Sequence, residues 1–283
     1  MKRVITSLSA WILMALMAVS VQAQIDMPAP SPAAKVEQTV GLTDVSVMYS
    51  RPGVKGRTVF GDLVPFDKVW RTGANSSTQI TFSDDVKFGG KDVKAGTYAL
   101  YSIPTASEWT FMLYSDLKLG GNVAKYEEAN EVVRFTVPSK KLPMSVESMM
   151  FMFDDLTDNS ATLTLAWEST MVTIDIETEV DSRVMKQIES TMAGPGYYPY
   201  FQAATYYYNT DRDLDKALEW INMSLEQGDR FWVMTMKARI LGKKGDTADA
   251  IATAKKAKAL AEEASNADYV KINSDLIAEW EGM

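Results

Sequence analysis

From residue 36 onward apolar and polar positions alternate in short runs, and after residue 180 the period lengthens to that of a helix. "TVGLTDVSVMYS" alternates loosely, and "QITFSDDVKF" sets Ile80 and Phe82, then Val86 and Phe88, around a polar pair. "GGK" at 89 to 91 signals a turn, and "DVKAGTYALYSIP" follows with Tyr98, Leu100 and Ile103. "EWTFMLYSD", "EVVRFTVP", "SVESMMFMF", "ATLTLAWE" and "TMVTIDIETEV" complete the series. In the last run Val172, Ile174, Ile176 and Val180 face one way and Thr173, Asp175, Glu177 and Glu179 the other, so one face is wet. "MMFMF", 149 to 153, is apolar on both faces, which asks for a core on one side and a cover on the other. Short strands separated by turn residues, with no helices between them, predict an antiparallel β-sandwich, jelly-roll-like, over residues 36 to 180.

Beyond residue 180 the pattern predicts helices. "DSRVMKQIESTMA" puts Val184, Ile188 and Met192 at helical spacing behind an Asp/Ser cap, and "GPG" at 194 to 196 breaks the run. The remainder repeats weakly. Aligning "NTDRDLDKALEWINMSLEQ" with "GKKGDTADAIATAKKAKAL" places Asp213 on Asp246, Ala217 on Ala250 and Leu218 on Ile251, a shift of 33. A helix, a tight turn with an Asp and a second helix opening on a small-hydrophobic pair resembles the tetratricopeptide unit. Ala238, Gly245, Ala250 and Ala257 hold its small-residue positions, and Thr205, Arg212 and Ser224 replace those in the first copy. The whole is therefore an α+β chain: the sandwich, then a degenerate tetratricopeptide-like helical domain over 181 to 283.

One stretch obeys neither period. "SRPGVKGRTVFGDLVPFDKVWRTGANSS", residues 50 to 77, carries Arg51, Arg57 and Arg71 with Gly53, Gly56, Gly61 and Gly73. Long irregular segments inside compact domains are uncommon and tend to be functional.

The ends and the composition narrow the function. A basic MKR start, the apolar run WILMALMAV and small residues at Val21 and Ala23 form a secretory signal peptide over 1 to 23, with cleavage expected after Ala23. The run is too short to span a membrane, which takes roughly 20 residues. Residues 24 to 35, QIDMPAPSPAAK, read as a proline-rich tether. The expected compartment is periplasmic or secreted. The chain has no cysteine, so neither a disulfide nor a lipoprotein anchor is open to it. Its net charge of −8 argues against nonspecific binding to nucleic acid or anionic lipid.

The chain also has no histidine. Ser-His-Asp and Cys-His catalysis need an imidazole, and His/Cys zinc sites need ligands that this chain lacks. No Walker A, GxSxG or GxGxxG motif occurs. No cofactor and no metal are expected. For an enzyme, carboxylate pairs, Ser-Lys arrangements, tyrosine or a hard cation on oxygen ligands would remain.

"YSRPGVKGRTVFGDLVPFDKVWRTGAN", "TFSDDVKFGGKDVKAGTYALYSIP", "EWTFML" and "FDDLTDNSATLTLAWE" together resemble the exported bacterial family catalogued as domain of unknown function 2911 (DUF2911). The resemblance covers roughly 35 to 180, and the ordered set S-R-P, K-G-R, F-G-x-L-V-P, V-W-R-x-G-A-N is its specific part. Longer members are similar in carrying helical repeats behind the β domain. The departure is Ser76, where the family pattern more often has an acidic residue. The resemblance implies a fold and a compartment and supplies no activity.

Several constellations admit two readings. Arginine forks grip carboxylates or phosphates, so Arg51, Arg57, Arg71 and Asn75, with Trp70 to stack on a ring, form a candidate pocket for an anionic or carbohydrate ligand. The same residues could instead pin the segment through Asp62, Asp67 and carbonyl groups, with Trp70 as a core plug. Asp154, Asp155 and Asp158 in "FDDLTDNS" read as a turn, as a carboxylate pair for glycoside hydrolysis, or with Asn159 as calcium ligands. The turn reading is preferred because the D-x-D-x-D-G spacing is absent. "GYYPYFQAATYYY", with Tyr197, Tyr198, Tyr200, Phe201 and Tyr206 to Tyr208, could receive an extended peptide or pack a domain interface. The leading expectation is an exported, non-catalytic binding or envelope-assembly module whose helical repeats contact a protein partner. The alternatives are a carboxylate-dependent hydrolase acting on glycans and a purely structural subunit.

Overall fold

The computed structural model describes residues 27–191 and 196–282. The expected signal peptide, its cleavage point, the start of the tether and the Met192, Gly194 and Pro195 positions lie outside the described residues. The chain divides into two units, one ending at Thr178 and one beginning at Glu179.

The first unit is a nine-stranded antiparallel sheet. Its strands are β1 (Ala33–Val40), β2 (Thr43–Ser50), β3 (Thr78–Phe82), β4 (Val86–Phe88), β5 (Lys91–Val93), β6 (Gly96–Pro104), β7 (Glu108–Tyr114), β8 (Glu131–Asp154) and β9 (Ser160–Thr178). Their order is β1-β2-β3-β6-β7-β8-β9-β4-β5. It is a meander from which the β4–β5 hairpin leaves its place between β3 and β6 and pairs with β9. β8 joins the two layers: Pro138 and the residues before it pair with β7, and Ser139 onward with β9. Its register shifts between Lys141 and Val146 and again between Val146 and Met150, which lets one strand bend across both layers.

Alternation decides which side chains enter the core. In β2 Val45, Val47 and Tyr49 are buried while Asp44 and Met48 are exposed. In β9 Val172, Ile174 and Ile176 are buried and Asp175 and Glu177 exposed, as the sequence predicts, although the strand stops at Thr178, short of Val180. Met149 and Phe151 enter the core, and Met150 and Met152 on the other face are half-buried. The predicted tether and the first strand overlap, because Ala33 and Ala34 pair with Ser50 and Tyr49. The GGK turn closes β4 on β5 with Gly89 at φ 57° and Gly90 at φ 73°, the two left-handed positions of a type I′ turn. A Cβ on Gly89 would also stand 2.3 Å from the Phe135 ring, so glycine is required there twice over.

The second unit has helices α1 (Asp181–Thr191), α2 (Tyr197–Asn209), α3 (Leu214–Glu226), α4 (Phe231–Lys244), α5 (Thr247–Glu263) and α6 (Ala267–Glu281). α2–α3 and α4–α5 are two hairpins of the same kind. The shift of 33 holds for the second helix of each: the N-cap residues Asp213 and Asp246 correspond, as do the fully buried Ala217 and Ala250, and Ser224 and Ala257. For the first helices the shift is 34, so that Ala204, not Thr205, matches Ala238, and both alanines are fully buried. The α2–α3 connection is longer than the α4–α5 one, which accounts for the change of register. Thr205 turns its hydroxyl back to the Phe201 carbonyl at 2.8 Å. α6 packs close to α4 at Gly242, where a Cβ would lie 2.5 Å from the Trp280 ring. Buried Asn273 on α6 donates to Thr235 Oγ1 at 2.9 Å and to the Tyr269 carbonyl at 2.8 Å.

Candidate functional site in the irregular segment

Residues 51 to 77 are irregular in backbone yet held at both ends by ladder-like bonds. At the front, the Val54 N–H donates to the Glu147 carbonyl at 2.8 Å and the Met149 N–H to the Pro52 carbonyl at 3.0 Å. At the rear, Trp70 and Ser102 exchange both backbone bonds, at 2.7 and 2.8 Å. Between them Val54, Val59 and Val64 are buried and fasten the segment to the core. Two carboxylates also hold it: Glu147 accepts from the Lys55 N–H and Glu168 from the Val59 N–H, each at 3.0 Å. Asp62 and Asp67 form no ion pair with its arginines; both are exposed.

Trp70 is a core plug. Its ring stacks on Trp167 at 6.0 Å and meets Trp109 edge-on at 5.9 Å, with Phe60 at 6.1 Å, and its indole N–H donates to the Gly73 carbonyl at 3.1 Å. Arg57 folds over its own loop, donating to the Val54 carbonyl at 3.0 Å and the Gly53 carbonyl at 2.7 Å. Arg51 donates from Nε to the Met149 carbonyl at 2.9 Å. Asn75, in the left-handed region at φ 57°, donates to the Ser31 carbonyl at 3.1 Å and to Ser50 Oγ at 3.2 Å. Arg51, Arg57, Trp70 and Asn75 thus each hold the segment in place.

Arg71 differs. Its backbone carbonyl accepts from the Thr78 N–H at 3.1 Å, but its guanidinium donates to no group among the described residues, and its Nε is buried. Arg51 is bonded to the Met149 carbonyl of β8, while Arg71 lies against Gly121, whose would-be Cβ is 3.4 Å from Arg71 Nη1. The next residue, Thr72, is fully buried at φ 52°. A β-branched residue in that region is strained, at a cost of order 1–3 kcal/mol. Thr72 is held there by its hydroxyl against Ser102 Oγ at 2.9 Å and by Thr78 Oγ1, which donates to the Thr72 carbonyl at 2.7 Å.

Opposite Arg71 lies the outer face of β6 and β7, where Tyr101, Met112 and Tyr114 are buried beneath residues 115 to 130. The Tyr114 hydroxyl accepts from the Glu127 N–H and Asn130 Nδ2, each at 3.1 Å, and the Tyr126 hydroxyl donates to Glu131 at 2.8 Å. Tyr101 donates to the Gly120 carbonyl at 2.8 Å. Burial pushes the Tyr101 phenol up, with Tyr114 and Asp116 adding to the rise, while Ser77 and Arg71 pull the other way. The Gly120–Gly121 turn thus meets the Tyr101 hydroxyl through the Gly120 carbonyl and Arg71 through Gly121. Sequence reasoning singled out Arg71 but not this turn, because residues 115 to 130 carry no period, and not Tyr101, which reads as an ordinary strand position in "DVKAGTYALYSIP".

The Asp154–Asp158 stretch is an exposed turn. Asp154 accepts from the Asp155 N–H at 2.9 Å, Asp155 sits at φ 49°, and its carboxylate accepts from Thr162 at 3.3 Å. Among the described residues no group of three acidic side chains is placed to hold a metal ion, and no helix is long and apolar enough to cross a membrane. The aromatic run lies on α2 and packs within its own unit: Tyr207 meets Trp220 edge-on at 4.8 Å, and the Arg230 guanidinium lies 3.6 Å over the Tyr197 ring. Tyr198 remains exposed.

The fold and this segment define an antiparallel β domain with a fixed irregular loop. The model of the family described as protein of unknown function (DUF2911) matches residues 31–176, more than half of the chain, and the chain belongs to that family. No curated protein and no solved structure matches it.

Proposed function

We propose that the protein is an exported, non-catalytic binding module in which the β unit recognises a small anionic ligand at Arg71 and the helical unit contacts a protein partner. One observation carries the reading. Of the three arginines in the irregular segment, Arg71 alone keeps its whole fork free of protein acceptors, beside a strained backbone residue. A guanidinium held half out of water without a carboxylate is disfavoured unless an anion completes it. Elsewhere in the same unit the fold supplies such a partner, since Arg134 makes two bonds to Glu131 at 2.9 and 2.6 Å. Export rests on the N-terminal pattern, and N-terminal sequencing of the processed form is expected to begin near Gln24; an intact Met1 in the membrane fraction would overturn it.

The Asp154–Asp158 carboxylates make turn bonds and face solvent, which favours binding over carboxylate-dependent hydrolysis. A saturating screen of glycosidic and ester substrates is expected to show no turnover. Turnover abolished by Asp154→Asn or Asp155→Asn would replace the binding reading with the hydrolase one.

A further inference from the structure

The sheet ends on two outer strands, β1 and β5. β5 is three residues long, and its core-side Val93 is buried. β1 is eight residues long and pairs only with β2 among the described residues. Its bonding direction follows from the bond at its start. The Pro32 carbonyl accepts from the Arg51 N–H at 2.9 Å, in line with the register that sets Ala34 against Tyr49 and Val36 against Val47. Bonding direction alternates along an antiparallel strand, so the even-numbered residues of β1 bond to β2. The N–H and C=O groups of Ala33, Lys35 and Glu37 point the other way and meet no strand among the described residues. Burial agrees. Ala34 and Val36 pack against the core yet stay half-exposed, while Val45, Val47 and Tyr49 beside them on β2 are buried. An open edge is what leaves core-facing residues wet.

We infer that this edge pairs antiparallel with β1 of a second copy of the chain, about a two-fold axis at Val36. Lys35 of each copy then lies opposite Glu37 of the partner subunit. The pairing is independent of the Arg71 reading. Charge selects the register. Bonding direction requires odd-numbered residues to face odd-numbered ones. Centred on Lys35, the edge would set two lysines face to face, and centred on Glu37, two glutamates; like charges directly opposite are destabilising. Centred on Val36, both lysines meet glutamates, and on the core side the two half-exposed valines cover one another. Main-chain bonds from Lys35 and Glu37 supply the attraction, and the side chains supply the register. Lys35 and Glu37 already form an ion pair within the strand, with their side chains 50% and 64% exposed, so four alternating charges would meet at the axis. Beyond that centre the ladder weakens. The Thr39 carbonyl, which would face Ala33 of the partner subunit, is taken by Gln38 Nε2 at 2.9 Å. The paired length is therefore short, and the association is reversible and depends on concentration.

The test is sedimentation velocity of the purified protein over a concentration series up to about 300 μM, with Lys35→Glu, Glu37→Lys and the double variant beside it. The expected result is a monomer–dimer equilibrium that either single variant weakens at least about tenfold, since each sets like charges opposite on both sides of the axis. The double variant reverses both pairs and should restore the association to within about threefold of the parent. Both side chains are exposed, so the variants should fold, which circular dichroism checks. Amide hydrogen exchange of the parent gives a readout that needs no variant. The Lys35 and Glu37 N–H groups should exchange freely in dilute protein and become protected as the dimer forms. A monomer throughout the series would overturn the inference. So would a dimer indifferent to the single variants, which would place the interface elsewhere, or one that the double variant fails to restore, which would break the register. Protection of the two amides already present in the monomer would mean that the chain covers its own edge, and would overturn it as well.

Discussion

The front of the irregular segment, residues 51 to 64, and its rear, residues 70 to 78, use arginine in opposite ways. At the front the Arg57 guanidinium closes on the Gly53 and Val54 carbonyls, and the Glu147 and Glu168 carboxylates take backbone N–H groups. Arg57, Glu147 and Glu168 each complete hydrogen bonds that an irregular backbone leaves open. At the rear, Thr72, Ser102 and Thr78 complete the backbone with hydroxyls, and Trp70 fills the core. Arg71 has no such duty. A segment rich in arginine is therefore no single site. Position by position, the same residue type fastens a loop or waits on a ligand, and the difference lies in whether a carbonyl stands within reach.

The comparison is broken most severely through Trp70. If the rear is a rigid platform for Arg71, removing its core plug should unfold it. Trp70→Ala leaves a cavity among Phe60, Trp109 and Trp167 and orphans the Gly73 carbonyl. The expected loss is about 3–5 kcal/mol in urea denaturation. A loss below about 1 kcal/mol would show that the rear closes without it, and that Arg71 has no fixed platform.

Much of the architecture is legible in the sequence because burial follows period. The alternation in β9, the Gly89–Gly90 turn and the shift of 33 between Asp213 and Asp246 all reappear in space. The signal fails where local pattern and tertiary register part. Thr205 falls opposite Ala238 in a rigid alignment, but the longer α2–α3 connection slides the first helix by one residue and puts Ala204 in the close contact. β3 and β4 read as neighbours around a polar pair in "QITFSDDVKF", yet β4 leaves β3 and pairs with β9.

Of the candidate site, the arginines, Trp70 and Asn75 stand out by residue type, but their duties do not. The acceptors that decide those duties are remote in sequence: Glu147 lies 92 residues from Lys55, and Glu168 lies 109 from Val59. Asp62 and Asp67, the near carboxylates, are the obvious partners in the sequence and take no part in holding the arginines. The cover over β6 and β7 is irregular, fastened by tyrosine hydroxyls rather than by any repeat, so Gly120 and Gly121 carry no sequence signal of their own.

The most direct measurement sets Arg57→Met beside Arg71→Met in the same urea titration, without added anion. Arg57→Met removes two charge-assisted bonds to carbonyls from an exposed residue, and is expected to lose about 1 kcal/mol. Arg71→Met keeps the apolar stem and strands no protein carboxylate, so its stability should stay within about 0.5 kcal/mol of the parent. A loss of roughly 3–5 kcal/mol in Arg71→Met, the cost of breaking a buried ion pair, would contradict the free guanidinium and make Arg71 one more pin of the loop.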